Sequence, residues 1–272
     1  MSTPSVRPST APQVRYVLRI ADTCLILAQR LSEWCGHAPI LEEDIALTNM
    51  SLDLVGQARA LFTHAGQLGA AETQGVALDE DQLAFLREER DYLNPTLVEL
   101  PNAFYRAGAQ PGDFAFTVLR NAVVSTWLLA LWSRLADSSD SELVAIAGKA
   151  VKEARYHQQH AADWVVRLGD GTADSAARMQ AALNEMWRYL PELFQDDEVD
   201  AFAVQAQLGP AWSSLKEEVM GQMGSLLAEA KLTPPPDSSF RTTGRNGIHS
   251  EHLGFILSEM QYLQRAYPGG VW

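Results

Sequence analysis

His157 and His160, with Glu153 four and seven residues before them, come closest to a ligand pattern in this 272-residue chain. The three share one side of a helix and could hold a metal. Polar neighbours at that spacing also make an ordinary hydrogen-bonded edge of a core, and that is the preferred reading. His249, Glu251 and His252 cluster at the start of the last helix. Asn246 or Ser250 could cap that helix, which leaves the histidines as surface residues. Arg241, Gly244 and Arg245 precede the same helix and could cradle an anion at its N-terminus. A purely structural loop accounts for them equally well and is preferred. Trp34, Trp127, Trp132, Trp164 and Trp187 read as core or interface anchors, since aromatics carry much of any buried area.

A sharper test is the carboxylate-bridged pair of irons. It takes one Glu from each of two helices and a Glu-x-x-His pair from each of two others, because residues three apart project from one helix face. None of the six histidines has Glu or Asp three residues before it; Ala154 precedes His157 and Leu61 precedes His64. The helix after Asp113 has no further acid until Asp137. Asp22 and Glu33 are expected to point away from their apolar stripe, and Asp53 to lie beside its own. The spacing assigns no catalytic, cofactor-binding or metal-ligating residue to this chain. Phosphate-binding loops, a GxSxG elbow and an HExxH helix are also missing.

The elements that would position these side chains are helices throughout, with no strand alternation. A first helix is predicted from Gln13 to Cys35, stopped by Gly36, and a second from Glu42 to Leu68, stopped by Gly69. After a crossover of about 45 residues, holding a minor helix near Asp79 to Arg90, come helices from Asp113 to Ala136 and from Ser141 to Leu168. The short turns make each pair an antiparallel hairpin. Two hairpins and one long crossover define an all-α, ferritin-like four-helix bundle. Further helices are expected near Asp174 to Tyr189, Pro210 to Lys231 and Gly247 to Arg265. Met1 to Pro12 reads as a flexible leader, and 13–272 as one domain.

Composition narrows the partners. Twenty-one basic against thirty-four acidic residues give a net charge of −13. That balance argues against nucleic acid and anionic membrane as partners. Arg120, Asn121 and Arg134 interrupt the most apolar stretch, Phe114 to Ala136, which reads as a core helix. Cys24 and Cys35 are read as buried free thiols on one helix, about 16 Å apart along its axis, in a reducing, cytoplasmic setting.

Several motifs in register then carry a resemblance. Ser32-Glu33-Trp34-Cys35-Gly36-His37-Ala38-Pro39, Leu52 to Arg59, Lys152 to His157, Gly247 to Gly254 and Glu259 to Arg265 are similar to the PaaC subunit family of the bacterial phenylacetyl-CoA 1,2-epoxidase complex. The resemblance covers roughly Val14 to Trp272. It implies a ferritin-like, non-catalytic structural subunit in aerobic phenylacetate catabolism. Its partners would be a di-iron catalytic paralogue, PaaA, a bridging subunit, PaaB, and, indirectly, an NADPH-dependent reductase, PaaE. The iron is then expected in the partner and no cofactor in this chain. The paralogue's two Glu-x-x-His pairs would fall on Leu54…Gln57 and Ala154…His157, where only His157 retains the ligand type. A homodimer of the lone chain is compatible with this picture. The alternatives are a di-iron or manganese oxidase or oxygenase in its own right, with displaced ligands, and a storage cage, which the missing acids disfavour.

Overall fold

In the computed structural model, residues 4–73, 75–102 and 113–270 are described, with the side chains of 72 and 73 excepted. The middle of the crossover, 103–112, therefore lies outside the described residues. Eleven α-helices follow one another, with no strand among the described residues beyond one isolated bridge between Thr243 and Ile248.

Helices α1 (Pro12–Ser32) and α2 (Leu41–Thr73) form the first hairpin. Short elements α3 (Glu80–Phe85) and α4 (Thr96–Glu99) lie on the crossover. Helices α5 (Phe114–Leu135) and α6 (Ser141–Gly169) form the second hairpin. An outer layer follows: α7 (Ala173–Met186), α8 (Glu198–Gln205), α9 (Lys216–Glu229), α10 (Glu251–Met260) and α11 (Tyr262–Ala266). Contacts join α1 to α2, α5 to α6 and α2 to α6, which closes the ferritin-like bundle.

Local chemistry sets the boundaries. Asp113 caps α5, as expected, accepting from the Ala115 amide at 2.8 Å. Asp140 caps α6 through the amides of Glu142 and Leu143. Gly36, at φ +79°, turns the chain out of α1. The first helix stops at Ser32, so Cys35 sits in the turn and is exposed; only Cys24 is buried as expected. The expected final helix is shorter, because Gly247 to Ser250 form its entry, and Gln261 divides α10 from α11. Within the expected leader, the Val6 amide donates to the Leu86 carbonyl at 2.9 Å.

The outer layer explains one larger departure. Helix α8 and the short α4 pack on α1, while α7 and α9 pack on α5. Every residue of α1 from Tyr16 to Ala28 is consequently buried. Asp22, expected to face outward, points away from the bundle centre into this second layer and is fully enclosed. It grips Arg87, also enclosed, through both carboxylate oxygens and accepts the Leu93 amide at 2.8 Å. Burial disfavours the Arg87 charge, but Asp22 outweighs that and holds its pKa above the ordinary guanidinium value. Arg87 also lies over the Tyr92 ring, 4.1 Å from its centroid.

Deleting one partner of a buried ion pair strands the other charge, at a cost of about 3–5 kcal/mol. Asp22→Ala is therefore expected to lower unfolding free energy by about 3 kcal/mol or more. A urea titration showing a loss below about 1 kcal/mol would contradict this role for the pair.

Candidate functional site

The bundle centre is where a metal pair would have to sit. Leu54 and Ala154 are buried there, and Gln57 is nearly so. The Gln57 amide bridges inward and outward: its oxygen stands 3.5 Å from the Cys24 thiol and its nitrogen donates to Glu153 at 2.9 Å. Burial, with Glu153 and Asp22 adding to it, pushes the Cys24 thiol well above the ordinary range, so it remains protonated. On the α5 side, Asn121 and Ser125 are buried and joined to each other at 3.1 Å. These groups are all uncharged.

The charged groups lie along the seam between α2 and α6. His157 Nε2 is 3.1 Å from Asp53 Oδ2. Desolvation lowers the His157 pKa, with Asp53 opposing, so the ring is held toward its neutral form. Lys149 stands 3.3 Å from Glu153. His160 Nε2 is 3.0 Å from Glu43 Oε2, an ion-pair distance, but neither atom has a partner in hydrogen-bonding alignment. Glu153, His157 and His160 thus face three different partners on α2, namely Gln57, Asp53 and Glu43, and do not converge on one point.

A di-iron centre requires four carboxylates and two imidazoles around one volume. Here the interior offers one imidazole, the amides of Gln57 and Asn121, the Ser125 hydroxyl, a protonated thiol and aliphatic carbon. Asp22, the enclosed acid of α1, is committed to Arg87. Among the described residues, no three His, Cys, Asp or Glu side chains are grouped to hold a metal ion. The residues present do not fit the group.

The other predicted clusters resolve as structural. The His249 side chain, expected at the surface, is fully enclosed. Its Nδ1 is 2.9 Å from Glu99 Oε2 and its Nε2 is 2.8 Å from the Tyr92 carbonyl. Both neighbours are acceptors, so the doubly protonated ring satisfies both. Burial lowers its pKa, but Glu99 more than reverses this and leaves it raised. Ser250 is the cap of α10, accepting from the His252 amide at 3.3 Å, and Asn246 instead accepts from Arg19.

Arg245 is not free to bind an anion. It is buried, pairs with Asp200 at 2.7 Å and lies 4.0 Å from the Trp212 ring centroid. Arg241 donates to the carbonyls of Ser238 and Phe240. Gly244 is required, since a Cβ there would come within 2.6 Å of the Asn94 carbonyl oxygen. Trp127 and Trp132 are wholly enclosed and Trp34 nearly so, while Trp164 and Trp187 are half-buried against the core.

Sequence reasoning missed the residues that meet Arg245. Arg19 reaches Asp197 at 2.9 Å and Asp200 at 3.4 Å, and Asp200 is fully enclosed between the two arginines. The signal was a lone Arg within the apolar run Tyr16 to Ala28, together with the cap pattern Asp197-x-x-Asp200 that starts α8.

A family model described as phenylacetic acid catabolic protein matches residues 2–272. The chain belongs to that family. It is also 45% identical, over 257 residues, to a protein of Escherichia coli (strain K12) named as the C subunit of 1,2-phenylacetyl-CoA epoxidase; the alignment covers 94% of this chain and 98% of that one. The resemblance read from the motifs is therefore met by similarity over almost the whole length.

The Glu99–His249 contact has a pH signature. A histidine whose folded pKa lies above its unfolded value of about 6.5 contributes fully below that pH and loses its contribution as pH rises through the folded pKa. His249→Gln is expected to lower the melting temperature most at pH 6 and progressively less toward pH 9. An equal drop at both pH values would contradict a charged, buried His249.

Proposed function

We propose that this chain is a non-catalytic structural subunit of a phenylacetyl-CoA 1,2-epoxidase assembly. In that role it pairs with the di-iron catalytic paralogue PaaA, while PaaB bridges such pairs and the reductase PaaE supplies electrons from NADPH. The observation that carries this reading is the neutral bundle centre. Where an oxygen-activating relative needs carboxylates, Leu54 and Ala154 stand buried, and Gln57 is an amide fixed to Glu153. The relationship to a protein named as the C subunit of the epoxidase supports the choice of assembly.

A metal-free partner of the same fold has a physical use. Carboxylates in a bundle core are costly to bury without their cation. A subunit whose own centre is filled by side chains folds without metal and can offer a preformed surface to a partner that depends on one. Specific, stable interfaces commonly bury about 1,200–2,000 Å² in total.

The test is to produce the catalytic subunit with and without this chain. Co-production is expected to raise its soluble yield several-fold, and epoxide formation, with reductase and NADPH present, to require both chains. Equal solubility and equal turnover without this chain would overturn the proposal.

A further inference from the structure

Among the described residues, the outer layer packs chiefly on α1, α5 and α6, and α2 carries little of it. Among the described residues, α2 makes its main contacts with α1, α3 and α6. Its side opposite the core carries Leu41, Ile45, Leu52 and Val55, the first three being 72%, 53% and 63% exposed. Their steps of four, seven and three follow the 4-3-4-3 rhythm of a helix seam, with Thr48 at the intervening position. The core stripe of α2, including Leu47, Leu54 and Leu61, is fully occupied on the other side. This second stripe has no part in holding the monomer together.

Helix α6 extends the same face. The pairs Gln57–Glu153, Asp53–His157 and Glu43–His160 set α2 and α6 antiparallel, so the start of α2 lies beside the end of α6. Tyr156, half exposed, stands beside this seam, its ring centroid 6.2 Å from that of His157. At the start of α2 the face runs into a cleft of about 370 Å³ whose walls include Trp34, Ile40, Phe114, Trp164 and Leu168. The pattern is an apolar strip ending in an aromatic socket, the arrangement in which a partner's large side chain becomes a binding hot spot.

Charge and area identify the occupant. Lys149 and Lys152 lie exposed on α6 within a chain of net charge −13, with Lys149 standing 3.3 Å from Glu153. Two copies of so acidic a chain repel each other, whereas a basic edge favours a different chain with carboxylates flanking its own apolar strip. Helix α6 has 29 residues and so is about 43 Å long. Two helices side by side are about 20 Å wide, giving about 860 Å², comparable with the ~800 Å² each partner contributes to a standard stable interface.

We infer that the α2–α6 face, with the Trp34–Trp164 cleft at its end, is the docking surface for the helical catalytic subunit. This rests on the functional reading above and adds the face to it. The occupant lays a helix with an apolar seam along Leu41 to Val55, keeps a carboxylate near Lys152, and seats one large apolar side chain in the cleft.

The test compares the full chain with Ile45→Glu/Leu52→Glu for binding to the purified catalytic subunit by calorimetry. Both positions are exposed, so unchanged circular dichroism and melting temperature are expected, and Ile45→Ser/Leu52→Ser provides a milder pair. The expected result is affinity reduced at least ~100-fold for the glutamate pair. Lys152→Glu is expected to weaken binding chiefly at low salt, and the control Val204→Glu on α8 to leave it unchanged. Binding by the glutamate pair within twofold of the unaltered chain, or equal loss in the control, would overturn the face assignment alone. Failure of the unaltered chain to bind would overturn both the function and the face. A homodimer broken by the same substitutions, with partner binding kept, would assign the face to a second copy and overturn the inference.

Discussion

A carboxylate buried in a helical bundle is costly unless an opposite charge meets it, and the arrangement of this molecule follows from that constraint. The interior between the four long helices is closed with Leu54, Ala154, Cys24 and the amides of Gln57 and Asn121. The polar groups are neutral or held neutral: burial raises the Cys24 thiol, and desolvation depresses His157. The centre is held by packing and by a few hydrogen bonds of 2.9–3.5 Å.

Charge has been displaced to the second layer, where it is paired. Asp22 with Arg87 joins α1 to the crossover, and Gln261 and Arg265 then bind the Arg87 carbonyl, tying in the C-terminal helices. Asp197 and Asp200 with Arg19 and Arg245 join α1, α8 and the loop before α10. Glu99 with His249 joins α4 to that same loop. Each network fastens an outer element to the bundle, and within these networks each buried charge faces an opposite one at hydrogen-bond distance. Such pairs specify one arrangement of the outer layer, because any other docking would leave a buried charge alone.

The bundle was legible in the sequence because its signals are local. Helical periodicity, Gly36 as a stop and Asp113 as a cap are set within a few residues of each other. The missing Glu-x-x-His spacing can be read in the sequence for the same reason, since it is a local pattern. The networks were not, because their members are far apart along the chain: Asp22 meets Arg87 and Glu99 meets His249 only when the crossover and C-terminal segment wrap round the bundle. Asp22 looked outward when α1 was read as an ordinary amphipathic helix, whereas α1 is enclosed by a layer on its other side. Cys35 looked buried because the helix was carried three residues too far. The short helices α4 and α8 were missed because four to eight residues give too little periodicity to read.

Iron-edge anomalous diffraction from crystals soaked anaerobically in Fe(II) bears most directly on the neutral interior. The account predicts no anomalous peak in the volume bounded by Cys24, Leu54, Gln57, Ala154 and His157. Two peaks about 3.5–4 Å apart in that volume, with carboxylates turned in to meet them, would contradict it.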